Sequence, residues 1–204
     1  MNQIGFIFET LADGFNFQFG YQARGNVDLL TQMGSELGFE VQIVPPFQVN
    51  QQTISSTLIR ELIQKGQMQD ALPLLNQQWL IQGEVIHGQG IAAKFLGIPT
   101  ANVQLNHPKK VLPLLGVYAC LARPAGSQTL LPAIMNLGNR PTFHGVTLSL
   151  EVHLLDFESD LYGQTLEVYP QHFLRPEQKF NGPDALKQQI QQDVLDARQF
   201  FSQS

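Results

Sequence analysis

The chain has 204 residues, of which 43% are apolar and only 14% charged, with a formal net charge of −5. That length holds one full domain and part of a second, and an acidic balance without a basic stripe excludes a nucleic-acid-binding protein. No apolar run reaches the roughly 18 residues that span a bilayer, the Met1-Asn-Gln-Ile start lacks the features of a secretion signal, and the single Cys120 excludes an internal disulfide framework. A soluble, cytoplasmic protein with a reduced core thiol is expected. Amides carry much of the polar surface, since 26 residues are Gln.

Ile4 to Phe8 reads as a short strand. Leu11 to Gly20 carries Phe15, Phe17 and Phe19 in alternation, which predicts a buried strand edge closed by Gly20. Asn26 is placed to cap a helix through Val27, Leu30, Met33 and Leu37, which Gly38 ends. Phe39 to Val44 alternates as a strand, stops at Pro45-Pro46, and is followed by a loop over Gln48 to Thr53. Ser55, Ser56, Thr57 and Arg60 open a short helix that Gly66 closes, and a second helix is expected over about Gln67 to Leu75. Hydroxyls and an Arg at a helix N-terminus suit a phosphate, because free N–H groups and the helix dipole favour an anion. An ordinary capped helix start explains the same residues.

Two of these strings resemble the adenylyltransferase domain of the prokaryotic bifunctional riboflavin kinase/FAD synthetases. They are Gly14-Phe-Asn-Phe-Gln-Phe-Gly20, with Asn16 where Asp is usual, and Ile54-Ser-Ser-Thr-Leu-Ile-Arg60. The family's His-x-Gly-His is missing, as no His precedes His87. The resemblance implies that residues 1–75 form a partial α/β nucleotidyltransferase-like (Rossmann-like) segment. Adenylyl transfer by this chain alone is not expected. Uncovered strand edges in such a segment favour a homo-oligomer.

Residues 76–204 read as a complete domain. Strand patterns recur at 79–88, 102–105, 115–123, 129–137, 147–157 and 165–173, with turn signals between them. Short strands at that spacing, followed by one helix, predict a small antiparallel barrel with a terminal helix. Pro183 suits the helix's first turn. Leu186, Ile190, Val194, Ala197 and Phe201 form its apolar stripe, with the Gln and Asp residues turned to water.

Chemistry concentrates in Gly83 to Asn102. Gly88 and Gly90 loosen the backbone so that N–H groups can approach an anion, and Lys94 adds positive charge. Gly97-Ile-Pro99 forms a rigid turn, after which Thr100 and Asn102 leave an extended chain on one face. A hydroxyl and an amide oxygen there can hold phosphate-bound Mg²⁺. A Gly-rich hairpin with a Pro turn accounts for the same string without a ligand. On the strand near 147–157, Leu148, Leu150, Val152 and Leu154 share one face, while Thr147, Ser149, Glu151 and His153 share the other. That second face is either solvated or lines a cleft where Glu151 accepts a hydroxyl proton.

His87-Gly-Gln-Gly90 followed by Lys94 and Gly97-Ile-Pro-Thr-Ala-Asn102 resembles the signature of riboflavin kinases. That likeness implies a six-stranded Greek-key barrel, ATP and riboflavin as substrates, and Mg²⁺ held by Thr100 and Asn102. It implies Glu151 as the catalytic base. Gly88, Lys94, Leu154, Asp156 and Tyr162 match nucleotide-binding positions, and Arg175, Gln178 and Phe180 match flavin-binding positions within Phe173-Leu-Arg-Pro-Glu-Gln-Lys-Phe180. Phe180 serves equally as an anchor for the last helix. Ile91, Ala92 and Ala93 depart from the family's more basic glycine flap. Asn136 to Phe143 is expected to be a structural turn beside the site.

Overall fold

The computed structural model describes residues 10–49, 51–88, 98–105, 110–142 and 145–203. The expected strand at Ile4 to Phe8 lies outside them. The chain forms two compact units that divide between Ser55 and Ser56.

In the first unit, β1 (Thr10–Gly14) pairs in parallel with β2 (Glu40–Val44), from Thr10 opposite Glu40 to Gly14 opposite Val44. Parallel neighbours need a crossover, which α1 (Val27–Leu37) supplies. Asn26 Oδ1 accepts from Leu29 N–H at 2.9 Å, and Gly38 takes the left-handed φ of 81° that ends the helix. The strand expected through Gly20 stops at Gly14. There Phe17 N–H donates to the Gly14 carbonyl at 3.0 Å, which reverses the chain, and Phe17 stacks on Phe19 at 5.7 Å between ring centroids. The expected loop holds a minimal hairpin, β3 (Gln48–Val49) with β4 (Gln52–Thr53).

The second unit opens with α2 (Ser56–Gln64), which Gly66 closes at φ 74°, and α3 (Met68–Ala71), continued by a 3-10 turn at Leu72–Leu74. Ile63, Met68 and Ala71 join the buried core of the barrel. The barrel strands are β5 (Ile81–Ile86), β6 (Ala101–Val103), β7 (Gly116–Pro124), β8 (Leu131–Thr142), β9 (Gly145–Leu154) and β10 (Thr165–Arg175). They close in the order β10-β5-β6-β9-β8-β7, every described pair antiparallel. The connection from β6 leads to non-adjacent β7, which makes the winding a Greek key, as expected.

Inward residues alternate as the sequence period requires: Ile81 and Val85, Tyr118 and Cys120, Met135 and Leu137, Leu150 and Val152, Leu166 and Val168 are all buried. Burial pushes the Cys120 thiol well above its ordinary value, so it stays a protonated core group. Gly83 sits where β5 crosses the chain after β6, and a Cβ there would run into the Gln104 carbonyl oxygen. Gly83→Ala is expected to lower the stability of this unit by roughly 1–3 kcal/mol through overpacking, measurable as a drop in the thermal midpoint.

β8 and β9 make a long hairpin, paired from Ala133 opposite Leu154 to Thr142 opposite Gly145. The turn expected from Asn136 onward is therefore strand through Thr142. The last helix, α4 (Pro183–Ser202), lies on the outside of β7 and β8. Ile190, Val194, Ala197 and Phe201 of the expected stripe pack there around Ala119 and Ile134.

A polar triad braces β7 against β10. Arg123 Nε donates to Glu167 Oε2 at 2.7 Å, and Tyr169 O–H donates to the same oxygen at 2.7 Å. The Tyr169 hydrogen bond first, then Arg123, holds the Glu167 carboxyl below the usual glutamate range. A depressed folded pKa contributes stability above the ordinary value that is lost as pH falls through the folded one. Glu167→Gln is thus expected to cost roughly 1 kcal/mol at neutral pH and to reduce the acid-induced loss. Urea titrations at neutral and acidic pH check both.

Candidate active site

The site is built on the outer faces of β6, β9 and β8. Val103, Val152 and Met135 point inward, so their strand neighbours Asn102, Glu151 and Asn136 point outward. The register sets those three side by side, Asn102 opposite Glu151 and Glu151 opposite Asn136. His153, two residues along β9, lies 2.8 Å from the Pro99 carbonyl through Nδ1. A carbonyl only accepts, so Nδ1 carries the proton of that bond. The contact ties the Gly-Ile-Pro-Thr turn to the strand that bears Glu151.

Two cavities meet at Thr100. One, of about 250 Å³, is lined by Thr100, Asn136, Glu151, Arg175, Gln178 and Phe180, with α4 closing it through Leu186 and Ile190. The other, of about 270 Å³, is lined by Thr100, Leu154, Phe157, Asp160 and Tyr162. The Tyr162 ring stacks on His87 at 4.0 Å between centroids. The structure thus gathers Glu151 with the three expected flavin positions in one cavity, and Leu154 with Tyr162 in the other, with Thr100 in the lining of both.

Asp156 and several other expected residues stand apart from these cavities. Asn102, beside Glu151 across the β6–β9 ladder, also lines a third cleft with Gln104 and Lys110. Its amide fills the space that a Cβ on Gly88 would need, so a larger residue at 88 would displace the Asn102 side chain. Asp156 is exposed, at a φ of 57° just past β9, and binds Arg198 Nη2 at 2.7 Å. That hydrogen bond holds its carboxyl below the usual range. Lys94, Gly90 and Ile91 to Ala93 lie outside the described residues. Ser55, Ser56, Thr57 and Arg60 are exposed, and Arg60 donates to Ser56 Oγ at 3.1 Å along α2.

Arg175 does not present a free fork. Its Nε and Nη2 each donate to Asp193 at 2.7 Å, and Nη1 donates to the Pro176 carbonyl at 3.1 Å. Its guanidinium carbon lies 5.8 Å from the Phe180 ring centroid. Gln189 Nε2 donates to Asp193 Oδ1 at 2.9 Å, and Gln178 Nε2 donates to Gln189 Oε1 at 2.9 Å. Asp193, expected in water, is 2% exposed. A chain of four side chains therefore fixes the Arg175–Phe180 segment onto α4.

Sequence reasoning missed Asp193 and Gln189, and gave Asn136 only a turn role. A signal for Asp193 existed. Positions 186, 190, 193 and 197 follow the spacing of one helix face, so the acid falls on the packed side.

The architecture defines a small closed antiparallel barrel with two cavities that share Thr100 in their linings. A family model described as "Riboflavin kinase" matches residues 75–201, and one described as "FAD synthetase" matches residues 4–58. The chain belongs to the riboflavin kinase family. It is 40% identical over 192 residues to the bifunctional riboflavin kinase/FMN adenylyltransferase of Haemophilus influenzae, covering 94% of this chain and 61% of that protein. The Escherichia coli protein of the same description is 40% identical over 191 residues, with 94% and 60% covered. The chain thus spans about three fifths of those relatives. A Streptococcus pneumoniae structure, described as a macrolide-efflux protein, superposes with a TM-score of 0.78 at 32% identity, over 91% of this chain and 58% of that one. No helix among the described residues is long and apolar enough to cross a membrane.

Proposed function

We propose that the chain is an ATP-dependent riboflavin kinase, with its chemistry in residues 76–204. The observation that carries this reading is the pair of cavities sharing Thr100, with Glu151 in one and Tyr162 in the other. Riboflavin occupies the first, its ring against Phe180 and its ribityl chain towards Glu151. ATP occupies the second, against Leu154 and Tyr162. Glu151 accepts the proton of the ribityl 5′-hydroxyl as that oxygen bonds to the γ-phosphorus. The bond from the γ-phosphorus to the bridging oxygen breaks, and ADP leaves with FMN as product. Most of the rate comes from positioning and from stabilised charge.

The hydroxyl of Thr100 and the amide oxygen of Asn102 fit Mg²⁺, which takes hard oxygen donors and is usually held by few protein groups plus phosphates and water. Among the described residues no cluster of three or more His, Cys, Asp or Glu offers an alternative cage. When bound, the ion neutralises charge on the phosphates. A cytoplasmic location fits the need for ATP and the free Cys120. Self-association belongs to the same proposal, because Tyr21, Leu37 and Phe47 of the first unit are 80%, 69% and 72% exposed. Light scattering that gives a monomer would remove it.

Incubation of the full chain with riboflavin, ATP and Mg²⁺, with separation of the flavins, tests the main reading. FMN is the expected product. Riboflavin bound without FMN formation overturns the kinase and leaves a flavin-binding module. FAD in the same assay would show adenylyl transfer; residues 4–58 match the family model described as FAD synthetase.

A further inference from the structure

We propose that Asn136 is a specificity-determining residue: its Oδ1 accepts a hydrogen bond from a secondary hydroxyl of the ribityl chain, beside the hydroxyl that reacts. The inference rests on the kinase reading. Among the described residues, Asn136 Oδ1 is the buried side-chain oxygen left without a hydrogen-bond partner. Folded proteins pair nearly all such atoms, and Asn136 belongs to the lining of the cavity that holds Glu151, so this lone acceptor marks where a ligand's donor arrives. Other polar groups of that wall are already engaged, Arg175 by Asp193, Gln178 by Gln189 and the His153 Nδ1 by Pro99.

Position selects the donor. Asn136 stands directly opposite Glu151 across the β8–β9 ladder, where facing Cβ atoms are about 4.5–5.5 Å apart. An amide oxygen only accepts, so its partner is an O–H or N–H. The flavin's one ring N–H lies on the imide edge, remote from the ribityl chain. The terminal hydroxyl's proton goes to Glu151. The group left within reach is the neighbouring secondary hydroxyl.

The test compares two alcohols on the full chain: riboflavin, and a flavin with a 5-hydroxypentyl chain that keeps the terminal hydroxyl and lacks the secondary ones. Asn136→Leu is close in size and removes the lone acceptor. The expected result is a roughly 10- to 100-fold fall in kcat/KM for riboflavin, carried by KM, with the analogue's value unchanged. The melting temperature holds or rises, since an unsatisfied buried oxygen is gone. An equal loss on both alcohols, no loss on riboflavin, or a marked fall in melting temperature overturns the proposal and leaves the kinase standing. If the chain turns over neither alcohol, the kinase reading has failed, and flavin fluorescence titration decides the contact separately. Weaker riboflavin binding in Asn136→Leu with unchanged analogue binding supports it, and equal effects or no flavin binding sink it.

Discussion

Glu151→Gln is expected to lower kcat for FMN formation by about 10²- to 10⁴-fold, the usual worth of a positioned base, while riboflavin binding changes little. Glutamine keeps the size and the hydrogen-bonding reach of the side chain but cannot take the proton. The substitution is also placed to be tolerated. Glu151 projects outward, away from the closed barrel core, between Leu150 and Val152, which are 1% and 0% exposed. The barrel should therefore melt as before. Rapid-mixing single turnovers with excess enzyme separate the chemical step from product release. A slowed single-turnover transient with unchanged flavin affinity is the signature. A variant that turns over at the original rate would show that the 5′-hydroxyl loses its proton elsewhere, and His153 on the same strand face would be the next group to change.

Asp193→Ala is expected to have the largest effect on stability, about 3 kcal/mol, the low end for breaking a buried ion pair. The loss is large because Arg175 would keep a charge in a site where its side chain is only 18% exposed, without its carboxylate. The low end applies because that residual exposure lets water reach the guanidinium. For a unit of this size the melting temperature should fall by roughly 6–12 °C. Replacing both partners, Arg175→Met with Asp193→Leu, removes the stranded charge and should recover most of the stability. It should not recover flavin affinity, because Phe180 and Gln178 are held through this network. Thermal unfolding and flavin titration of the single and double variants make that separation. Full recovery of binding in the double variant would assign the pair to scaffolding alone.

The strand period was enough to place much of this site. Alternation through 147–154 separates Glu151 and His153 from the core residues Leu150, Val152 and Leu154, and the barrel confirms that separation. The spacing of Leu186, Ile190, Val194 and Ala197 likewise marks the face on which α4 docks. Local rules also located the Asn26 cap and the Gly38 stop of α1. They failed after Gly14, where a turn hydrogen bond to Phe17 outweighed the alternation of three phenylalanines. They failed again after Leu137, where pairing with β9 carried Gly138 to Thr142 on as strand despite Gly and Pro.

By itself the sequence determined the inward row of β9 through Leu150, Val152 and Leu154, the number of barrel strands, the terminal helix, and the outward row that bears Glu151. Tertiary structure alone decided what covers that row. Periodicity reports which side of an element is apolar. It does not report which distant segment lies over the polar side. The closure of the cavity by α4, the capture of Arg175 by Asp193, the isolation of Asn136 Oδ1 and the sharing of Thr100 all depend on contacts between elements far apart in the chain. Such contacts exist only once the barrel has closed and the helix has packed on it.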